Sequence, residues 1–360
     1  MASKLFSPLK LGGFELANRI VIAPMCQYSA VDGSASDWHI VHFSNMLQSG
    51  AGVFILEATG VEAAGRISHG CLGLYSDANE EALARVLKIV RPYSKMPIGI
   101  QLGHAGRKAS TQIPWLGGGG LKAGQNPWPT VAPSAIAFDE NHDTPSAMGD
   151  AEMARVKQAF ADAAKRALRL GLDLIELHGA HGYLLCQFLS PIVNKRTDRY
   201  GGSAANRARF PLEVFDAVRA VWPREKALGV RLNGTDWRED GITIDEAADF
   251  AAELAKRGSD FVHVTSGGNG AANIPLGAGY QVPLAEKVRD RAKIPTIAVG
   301  MITDPAHAES ILAEGKADAI GLARGILNDP RWPWHAAVAL GENPPGVSPQ
   351  YLRGAPRPKA

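Results

Sequence analysis

Two histidines and a tyrosine are closely spaced at His178, His181 and Tyr183. They follow an apolar run at 174–177 that reads as a buried strand, so all three side chains leave from its carboxyl end. Two neutral imidazoles can donate N–H bonds to one carbonyl or nitro oxygen, and a nearby phenol can protonate an adjacent carbon. This is chemistry on an electron-poor double bond. A zinc pair without a nearby third ligand and a structural loop are the alternatives.

A second group of residues predicts a phosphate site. Gly300 follows the seventh apolar run of the chain, and Gly321, Ala323, Arg324 and Gly325 stand at the eighth. Glycines let backbone N–H groups approach a phosphate, and an arginine adds positive charge. Ordinary turn glycines are the alternative.

The elements that must position these residues alternate along the chain as eight strand–helix units. Short apolar strands separated by helices are typical of parallel sheet, and right-handed crossovers close such units into a barrel. We predict an α/β fold, a (β/α)8 TIM barrel whose functional groups lie at the carboxyl ends of the strands; a doubly wound open sheet is the alternative. The predicted strands are 20–23, 53–56, 98–102, 174–177, 228–232, 261–264, 296–299 and 319–322. The predicted helices are 39–48, 80–90, 152–170, 206–221, 244–257, 282–292, 305–314 and 333–340.

Two segments lie outside this repeating pattern. Residues 9–16 alternate around a Gly-Gly turn, which predicts an N-terminal hairpin at one end of the barrel. Residues 103–149 show no strand–helix alternation and contain four consecutive glycines at 117–120. A loop this long is typically a lid or binding loop, so we expect it to cap the barrel after strand 3. Residues 1–360 are expected to form a single domain.

Composition excludes several classes of protein. A net charge of +2 without a basic run argues against a nucleic-acid partner. Cys26, Cys71 and Cys186 are an odd number without C-x-x-C spacing, which argues against a disulfide framework, structural zinc or an iron–sulfur cluster, and we expect no metal. The N-terminus lacks the apolar region of a signal peptide, and no apolar run could span a membrane. We therefore expect a cytoplasmic protein with no membrane partner.

A flat ligand would fit between the phosphate site and the inner barrel wall, where Gln101 and Arg231 end strands. FMN is the ligand that we favour, because a cation near the pyrimidine end of its ring would stabilise the negative charge of the reduced flavin. No G-x-G-x-x-G after a strand offers a Rossmann site. An ion pair between Arg231 and Glu176 in the core is the alternative for this arginine.

Four stretches carry a resemblance to a known family. They are 19–28 (RIVIAPMCQY), 101–108 (QLGHAGRK), 178–191 (HGAHGYLLCQFLSP) and 194–203 (NKRTDRYGGS). They are similar to the Old Yellow Enzyme family of FMN-dependent ene-reductases, and the match covers essentially the whole chain. Cys26 with Tyr28 resembles the thermophilic-like branch, which includes bacterial xenobiotic reductases.

The resemblance implies catalytic and substrate-binding roles. His178 and His181 would hydrogen-bond the oxygen of an activated alkene, and Tyr183 would protonate its α-carbon after hydride reaches the β-carbon. Cys26 would touch the flavin edge and tune its potential, and Tyr28 would help to bind substrate.

The resemblance also implies how the cofactor is held. Gln101 and Arg231 would contact the flavin pyrimidine, and NADPH or NADH would reduce the flavin before the alkene replaces it. The other implied FMN contacts are Pro24, Met25, Cys26 and Ala58 around the ring, and Gly300, Ala323 and Arg324 at the phosphate.

Two further positions bear on assembly and substrate size. Tyr351-Leu-Arg353 resembles a C-terminal segment that reaches a neighbouring subunit's site, so a homodimer or homotetramer is expected, with 341–360 as the tail. Here Gly-Ala-Pro follows instead of bulky residues, and a disordered basic tail is the alternative. Val299 stands where some xenobiotic reductases carry tryptophan, which predicts room for larger cyclic enones.

These observations define the functional hypotheses. The first is an NAD(P)H-dependent reductase of the C=C bond of α,β-unsaturated carbonyl and nitro compounds. The alternative is a non-redox barrel lyase or isomerase that acts on a phosphorylated substrate. A flavin-storage protein is a third hypothesis.

Overall fold

The computed structural model describes residues 3–358 of the chain. Residues 1, 2, 359 and 360, which the predicted domain and tail include, lie outside the described residues. The strands in this part of the chain are β1 (Leu9–Leu11), β2 (Phe14–Leu16), β3 (Ile20–Ile22), β4 (Val53–Gly60), β5 (Ile98–Gly103), β6 (Val131–Ala132), β7 (Ser146–Ala147), β8 (Leu174–Gly179), β9 (Ala227–Asn233), β10 (Phe261–Thr265), β11 (Thr296–Ala298) and β12 (Ala319–Leu322). The α-helices are α1 (Asp37–Leu47), α2 (Asp77–Val90), α3 (Asp150–Arg169), α4 (Leu184–Leu189), α5 (Ala204–Arg219), α6 (Ile244–Lys256), α7 (Val282–Ala292), α8 (Pro305–Ala313), α9 (Arg324–Asn328) and α10 (Trp332–Ala339).

Eight parallel strands close into a barrel in the order β3-β4-β5-β8-β9-β10-β11-β12, and β12 pairs back with β3 through Ile320 opposite Ile20. The strands are buried throughout except at Ala58, because helices cover their outer faces. The predicted TIM barrel is confirmed, and the doubly wound open sheet was wrong. The carboxyl ends of all eight strands therefore meet at one mouth.

The N-terminal hairpin closes the opposite end of the barrel. β1 and β2 pair antiparallel, with Leu9 opposite Leu16. Both leucines are buried in one apolar cluster with inward-facing residues near the start of the strands, such as Val53 and Phe261. Burial of this apolar surface contributes about 25 cal/mol of stabilising free energy per Å², which holds the hairpin against the barrel. The predicted position of the hairpin at one end of the barrel is confirmed.

Two strands extend at least two residues further toward the mouth than predicted. β4 continues to Gly60 after a register shift between Leu56 and Ala58, and β8 continues through His178, which lies opposite Arg231 of β9. The predicted ends of these strands, at residues 56 and 177, were therefore wrong, and Glu57, Ala58 and His178 belong to strands. Polar residues and glycine end the apolar run, but the backbone ladder continues because the neighbouring strands supply partners.

Two short helices were not predicted. α4 begins directly after Tyr183, and α9 begins at Arg324, between the predicted strand at 319–322 and the predicted helix at 333–340. Helices this short carry too few turns to show a clear 3.6-residue pattern. Both follow barrel strands, so they lie at the mouth.

The long segment after β5 covers part of the mouth, as predicted. Its first part is a hairpin over 110–121, in which Leu121 N donates to Ser110 O and Gln112 N donates to Gly119 O, each at 2.8 Å. Arg107 connects the later part of this segment to the loop after β10. The Arg107 guanidinium donates to Ala137 O at 2.9 Å and to Asn269 O at 2.6 Å. Among residues 3–358, no helix is long and apolar enough to cross a membrane.

Candidate active site

His178, His181 and Tyr183 form one cluster at the end of β8. The ring centroids of His178 and His181 are 5.3 Å apart, and those of His178 and Tyr183 are 4.8 Å apart. His181 has φ +58°, a left-handed conformation that turns the chain sharply between β8 and α4. The three side chains that the sequence placed together are therefore together in space.

The bonding of His178 fixes which of its nitrogens can donate. Its Nδ1 accepts a hydrogen bond from Ala180 N at 3.3 Å, so the proton of the neutral ring lies on Nε2. Burial, together with the Arg231 charge, holds the pKa of His178 well below its usual range. The ring is therefore a neutral donor at physiological pH.

His181 is held by both its backbone and its ring. Its N–H donates to Asn233 Oδ1 at 3.0 Å, and its Nε2 lies 3.0 Å from Thr265 Oγ1. The Thr265 hydroxyl, which also lies 3.2 Å from Gln281 Oε1, can donate to Nε2 of His181, and the proton of the neutral ring is then on Nδ1, where it is available to a ligand. Burial and the Arg231 charge keep the pKa of His181 well below its usual range. Thr265 thus orients a second neutral imidazole beside the first.

Tyr183 is a protonated phenol. Burial raises the pKa of Tyr183 well above its usual range, and nearby Cys26 and Tyr28 raise it further. The ammonium of Lys108 lies 5.0 Å from the centroid of the Tyr183 ring. A phenol of this kind holds its proton until an acceptor of high basicity is presented beside it, and the Lys108 cation would then stabilise the phenolate.

Arg231 is a buried cation without an ion-pair partner. It is 6% exposed, and among the described residues no carboxylate oxygen lies within 4.0 Å of its nitrogens. Glu176 binds other groups, because its Oε1 accepts from Gln101 Nε2 at 2.7 Å and its Oε2 lies 2.9 Å from His263 Nδ1. The predicted alternative of an Arg231–Glu176 ion pair was wrong. A buried, unpaired guanidinium needs an anionic or acceptor group from a ligand.

A cavity of about 660 Å³ at the mouth lies against this guanidinium, within the size range of cofactor sites. Gly300 has φ +135°, and a Cβ there would lie 3.1 Å from Gln281 Nε2, so a larger side chain would be strained. The cavity thus combines an unpaired cation with glycine-rich backbone, as FMN requires. The predicted site residues that line it are His181, Arg231, Gly300, Gly321, Ala323, Arg324 and Gly325.

The other predicted residues lie around this cavity. Ala58 lines a smaller cavity with His178 and Tyr183. Gln101 is buried beside Glu176, and its Oε1 accepts no hydrogen bond from a side chain among residues 3–358. Partly buried residues on the loop after β3 are Pro24, Met25, Cys26 and Tyr28.

The loop after β3 is held by a buried carboxylate. Glu57 Oε2 accepts a hydrogen bond from Gln27 N at 2.9 Å, which fixes the backbone between Cys26 and Tyr28. Burial raises the pKa of the Cys26 thiol well above its usual range, with nearby Cys71 and Glu57 adding to the effect. Cys26 is therefore a protonated thiol, which fits a residue that touches a cofactor and does not act as a nucleophile.

Arg353 is not brought together with these residues. It is exposed in a tail whose earlier part, Pro345 to Pro349, packs beside Asn18 and Gly50 near the start of β3 and β4, at the opposite end of the barrel from the mouth. Tyr351 in this tail packs against Trp334, with ring centroids 6.4 Å apart.

Three residues of the site had no assigned role at the sequence level. Lys108 donates to His181 O at 2.8 Å and to Gly268 O at 3.2 Å, and burial lowers its pKa to about 8. Buried Asp236 accepts from Asn233 Nδ2 at 3.1 Å and from Asn269 Nδ2 at 2.8 Å. For Lys108, the available signal in the sequence was the adjacent pair of cations Arg107-Lys108 in an otherwise apolar and glycine-rich stretch. Thr265 offered no signal, because His181 is 84 positions away in the sequence. Asp236 offered none, because its spacing of three residues from Asn233 does not by itself predict the contact with Asn269.

Comparison with known proteins gives a consistent result. Residues 4–343 match the model of the NADH:flavin oxidoreductase / NADH oxidase family. The chain is 42% identical over 356 residues to an NADPH dehydrogenase of Geobacillus sp. (strain WCH70), covering 98% of this chain and 99% of the relative. It is 41% identical over 356 residues to an NADPH dehydrogenase of Bacillus subtilis (strain 168), covering 98% and 100%.

Solved structures agree with this family. Morphinone reductase superposes with a TM-score of 0.79 at 29% identity, covering 97% of this chain and 93% of that one. A 2-naphthoyl-CoA reductase superposes with a TM-score of 0.83 at 25% identity, covering 94% of this chain and 52% of that one. The chain therefore belongs to the NADH:flavin oxidoreductase / NADH oxidase family and is an FMN-dependent NAD(P)H oxidoreductase of the Old Yellow Enzyme type.

Proposed function

We propose that the protein is an ene-reductase that uses NADPH or NADH to reduce the C=C bond of α,β-unsaturated carbonyl compounds and of nitro compounds. The observation that carries this proposal is the cluster of two neutral imidazoles and one protonated phenol beside a cavity with an unpaired guanidinium. The morphinone and 2-naphthoyl-CoA proteins are reductases by name, which supports a reduction of an organic substrate.

The chain's own residues would hold the substrate oxygen and supply a proton. FMN, when bound, supplies hydride that it has accepted from the nicotinamide. The Nε2–H of His178 and the ring N–H of His181 donate to the carbonyl oxygen, which stabilises the enolate-like charge of the transition state. Tyr183 then gives its phenolic proton to the α-carbon, and Tyr28 contacts the substrate.

The cofactor would be held by groups on both sides of the mouth. Arg231 and Gln101 would contact the pyrimidine end, where the guanidinium would balance negative charge and the amide oxygen of Gln101 would accept a hydrogen bond. Pro24, Met25, Cys26 and Ala58 would contact the ring. Gly300, Ala323 and Arg324 would hold the phosphate.

We propose further that the protein is a cytoplasmic homodimer or homotetramer built from one domain, in which the tail at 341–360 brings Arg353 to a neighbouring subunit's site. The support is that Arg353 is exposed and that the tail runs along the end of the barrel opposite to its own mouth. Light scattering of the wild type tests the oligomeric state, and the substrate KM of an Arg353→Ala variant tests the shared site. A monomeric wild type, or an Arg353→Ala variant with unchanged substrate KM, would count against the shared site.

The visible spectrum of the purified protein tests the proposed activity. The flavin band should bleach on anaerobic addition of NADPH and return on addition of 2-cyclohexenone. Bleaching without return with any alkene would favour flavin storage. A protein that stays colourless after incubation with FMN but binds a sugar phosphate would favour the lyase or isomerase, which the family membership does not support.

The two histidines are tested together. The double variant His178→Ala with His181→Ala should keep FMN but lose the charge-transfer absorbance of bound phenol and the turnover of enones. His335→Ala is the control, because this exposed histidine lies on α10 away from the mouth. Undiminished phenol absorbance in the double variant would contradict the assigned roles.

A further inference from the structure

We propose that Trp115 is a specificity residue, which forms with Tyr28 an aromatic corner at the mouth and favours enones that carry a flat aryl group. This inference rests on the proposed function and adds a substrate class to it. Trp115 belongs to the hairpin at 110–121 in the long segment after β5.

The base of this hairpin is anchored to the barrel. Thr111 N donates to Ile67 O at 2.8 Å, which joins the hairpin to the loop after β4. Trp128 N donates to Ser110 Oγ at 3.0 Å, and Thr111 Oγ1 lies 3.2 Å from His142 Nε2. The base therefore has a fixed position relative to the strands whose ends form the mouth.

The tip of the hairpin is a tight turn that points Trp115 outward. Leu116 N donates to Ile113 O at 3.0 Å, and Gly117 N donates to Pro114 O at 3.1 Å. Pro114 restricts the backbone at the start of this turn. Gly117, with φ +104°, ends the turn in a conformation that other residues rarely adopt. The turn therefore presents its aromatic residue in a defined orientation.

Trp115 meets Tyr28 and yet remains open to solvent. The two ring centroids are 5.7 Å apart, and the ring planes are at 82°, an edge-to-face geometry. Trp115 is nevertheless 64% exposed. An indole held in place by one aromatic contact, with most of its surface uncovered, offers a stacking surface for a ligand.

Tyr28 fixes this corner relative to the reacting groups. It lies two residues after Cys26, and its backbone packs against Gly70. Cys71, the residue after Gly70, lines the smaller cavity together with His178 and Tyr183. The backbone of Tyr28 is fixed against Gly70. The two backbones pack so closely that a Cβ added at Gly70 would lie 2.4 Å from Tyr28 O, and Ala30 N donates to Gly70 O at 2.9 Å. In this proposal, the aryl group of an enone bound by His178 and His181 lies at the corner.

The chain offers a matched control for Trp115. Leu116 is the next residue on the same turn and is also 64% exposed, but it has no aromatic ring. The measured quantity is the ratio of kcat/KM for benzylideneacetone, which carries a phenyl group, to kcat/KM for 2-cyclohexenone. A ratio is independent of the fraction of protein that is folded and loaded with FMN.

We expect Trp115→Ala to lower this ratio about five- to tenfold, mainly through a higher KM for benzylideneacetone. A fall of this size corresponds to the loss of one aromatic contact. Trp115→Phe should restore most of the ratio, and Leu116→Ala should leave it unchanged. An unchanged ratio in Trp115→Ala, or an equal fall in Leu116→Ala, overturns the inference alone. A wild type that reduces neither enone overturns the proposed function and this inference with it.

Discussion

Asn233 accepts a hydrogen bond of 3.0 Å from the backbone N–H of His181 through its side-chain oxygen. The amide nitrogen of the same side chain donates to Asp236 Oδ1 at 3.1 Å and to Gly267 O at 2.7 Å. A residue at the end of β9 thus holds the left-handed backbone of His181 after β8, and a buried carboxylate holds that residue in turn. The imidazole is positioned across two strands and not by its own loop alone.

Replacing Asn233 should therefore disturb His181 without removing it. In Asn233→Ala the His181 N–H loses its acceptor, and we expect phenol to bind about tenfold more weakly, a loss of about 1.4 kcal/mol, within the range for one buried hydrogen bond. Titration of the phenol charge-transfer band measures this, with FMN occupancy from the flavin absorbance. Asn206→Ala, on the exposed first turn of α5, is the control. Unchanged phenol affinity would show that His181 keeps its position without Asn233.

Arg231→Met should lower the reduction potential of the bound flavin and weaken FMN binding. Methionine keeps an unbranched side chain, although a shorter one, and the variant removes the unpaired cation beside the cavity. Equilibration with a redox dye measures the potential, and fluorescence of released FMN measures affinity. Arg238→Met is the control, because Arg238 pairs with Asp240 on the surface. A potential equal to that of the wild type would mean that Arg231 does not face the flavin ring.

Tyr183→Phe should slow only the half-reaction in which the alkene is reduced. Removal of a general acid typically costs about 10²- to 10⁴-fold, so we expect reoxidation by 2-cyclohexenone to slow by at least about a hundredfold. Reduction by NADPH should remain near the wild-type rate, since no proton from Tyr183 is needed there. Stopped-flow absorbance separates the two steps. Tyr93→Phe, which changes an exposed tyrosine, serves as the control.

Val299→Trp should reduce the volume of the cavity that is available to substrate. Val299 lines the cavity directly after β11 and is 8% exposed, so a larger side chain there must project into the cavity or displace its neighbours. In Val299→Trp, we expect the turnover of a bulky cyclic enone to fall several-fold relative to that of 2-cyclohexenone. Val299→Ile should change this ratio little. Equal effects of Val299→Trp on bulky and small enones would contradict the assigned role of this position.

Stability should decrease as the pH falls from about 7.5 to about 5. Burial lowers the pKa values of His178, His181 and His263, so these rings stay neutral in the folded state. In the unfolded chain they take up protons below about pH 6.5, which favours unfolding by up to about 1.4 kcal/mol per pH unit for each ring. The paired carboxylate of Glu62, with a pKa near 2, adds its own loss only at lower pH, below the ordinary glutamate pKa.

Urea unfolding at fixed excess FMN across this range measures the slope. A His263→Gln variant should show a smaller slope, because one titrating ring is removed. A free energy of unfolding that does not change between pH 7.5 and 5.5 would mean that these histidines have ordinary pKa values in the folded state.

The sequence by itself determined the barrel and the main groups of the site. Alternation of apolar runs with helical segments is a local pattern, and eight such units have few ways to bury both faces of a parallel sheet. Because all strands run the same way, any residue that ends a strand must reach the same mouth. That is why His178, Arg231 and Gly300 could be assigned to one end of the barrel from their positions in the chain.

Only the tertiary structure decided how these groups are paired. Glu176 lies on β8, next to the strand that carries Arg231, yet its oxygens bind Gln101 and His263, and this leaves the guanidinium for a ligand. The contact between Trp115 and Tyr28 likewise joins loops that are 87 positions apart in the sequence. Such contacts depend on ångström-scale distances between separate loops and strands, whereas periodicity in sequence reports only which face of its own element a residue occupies.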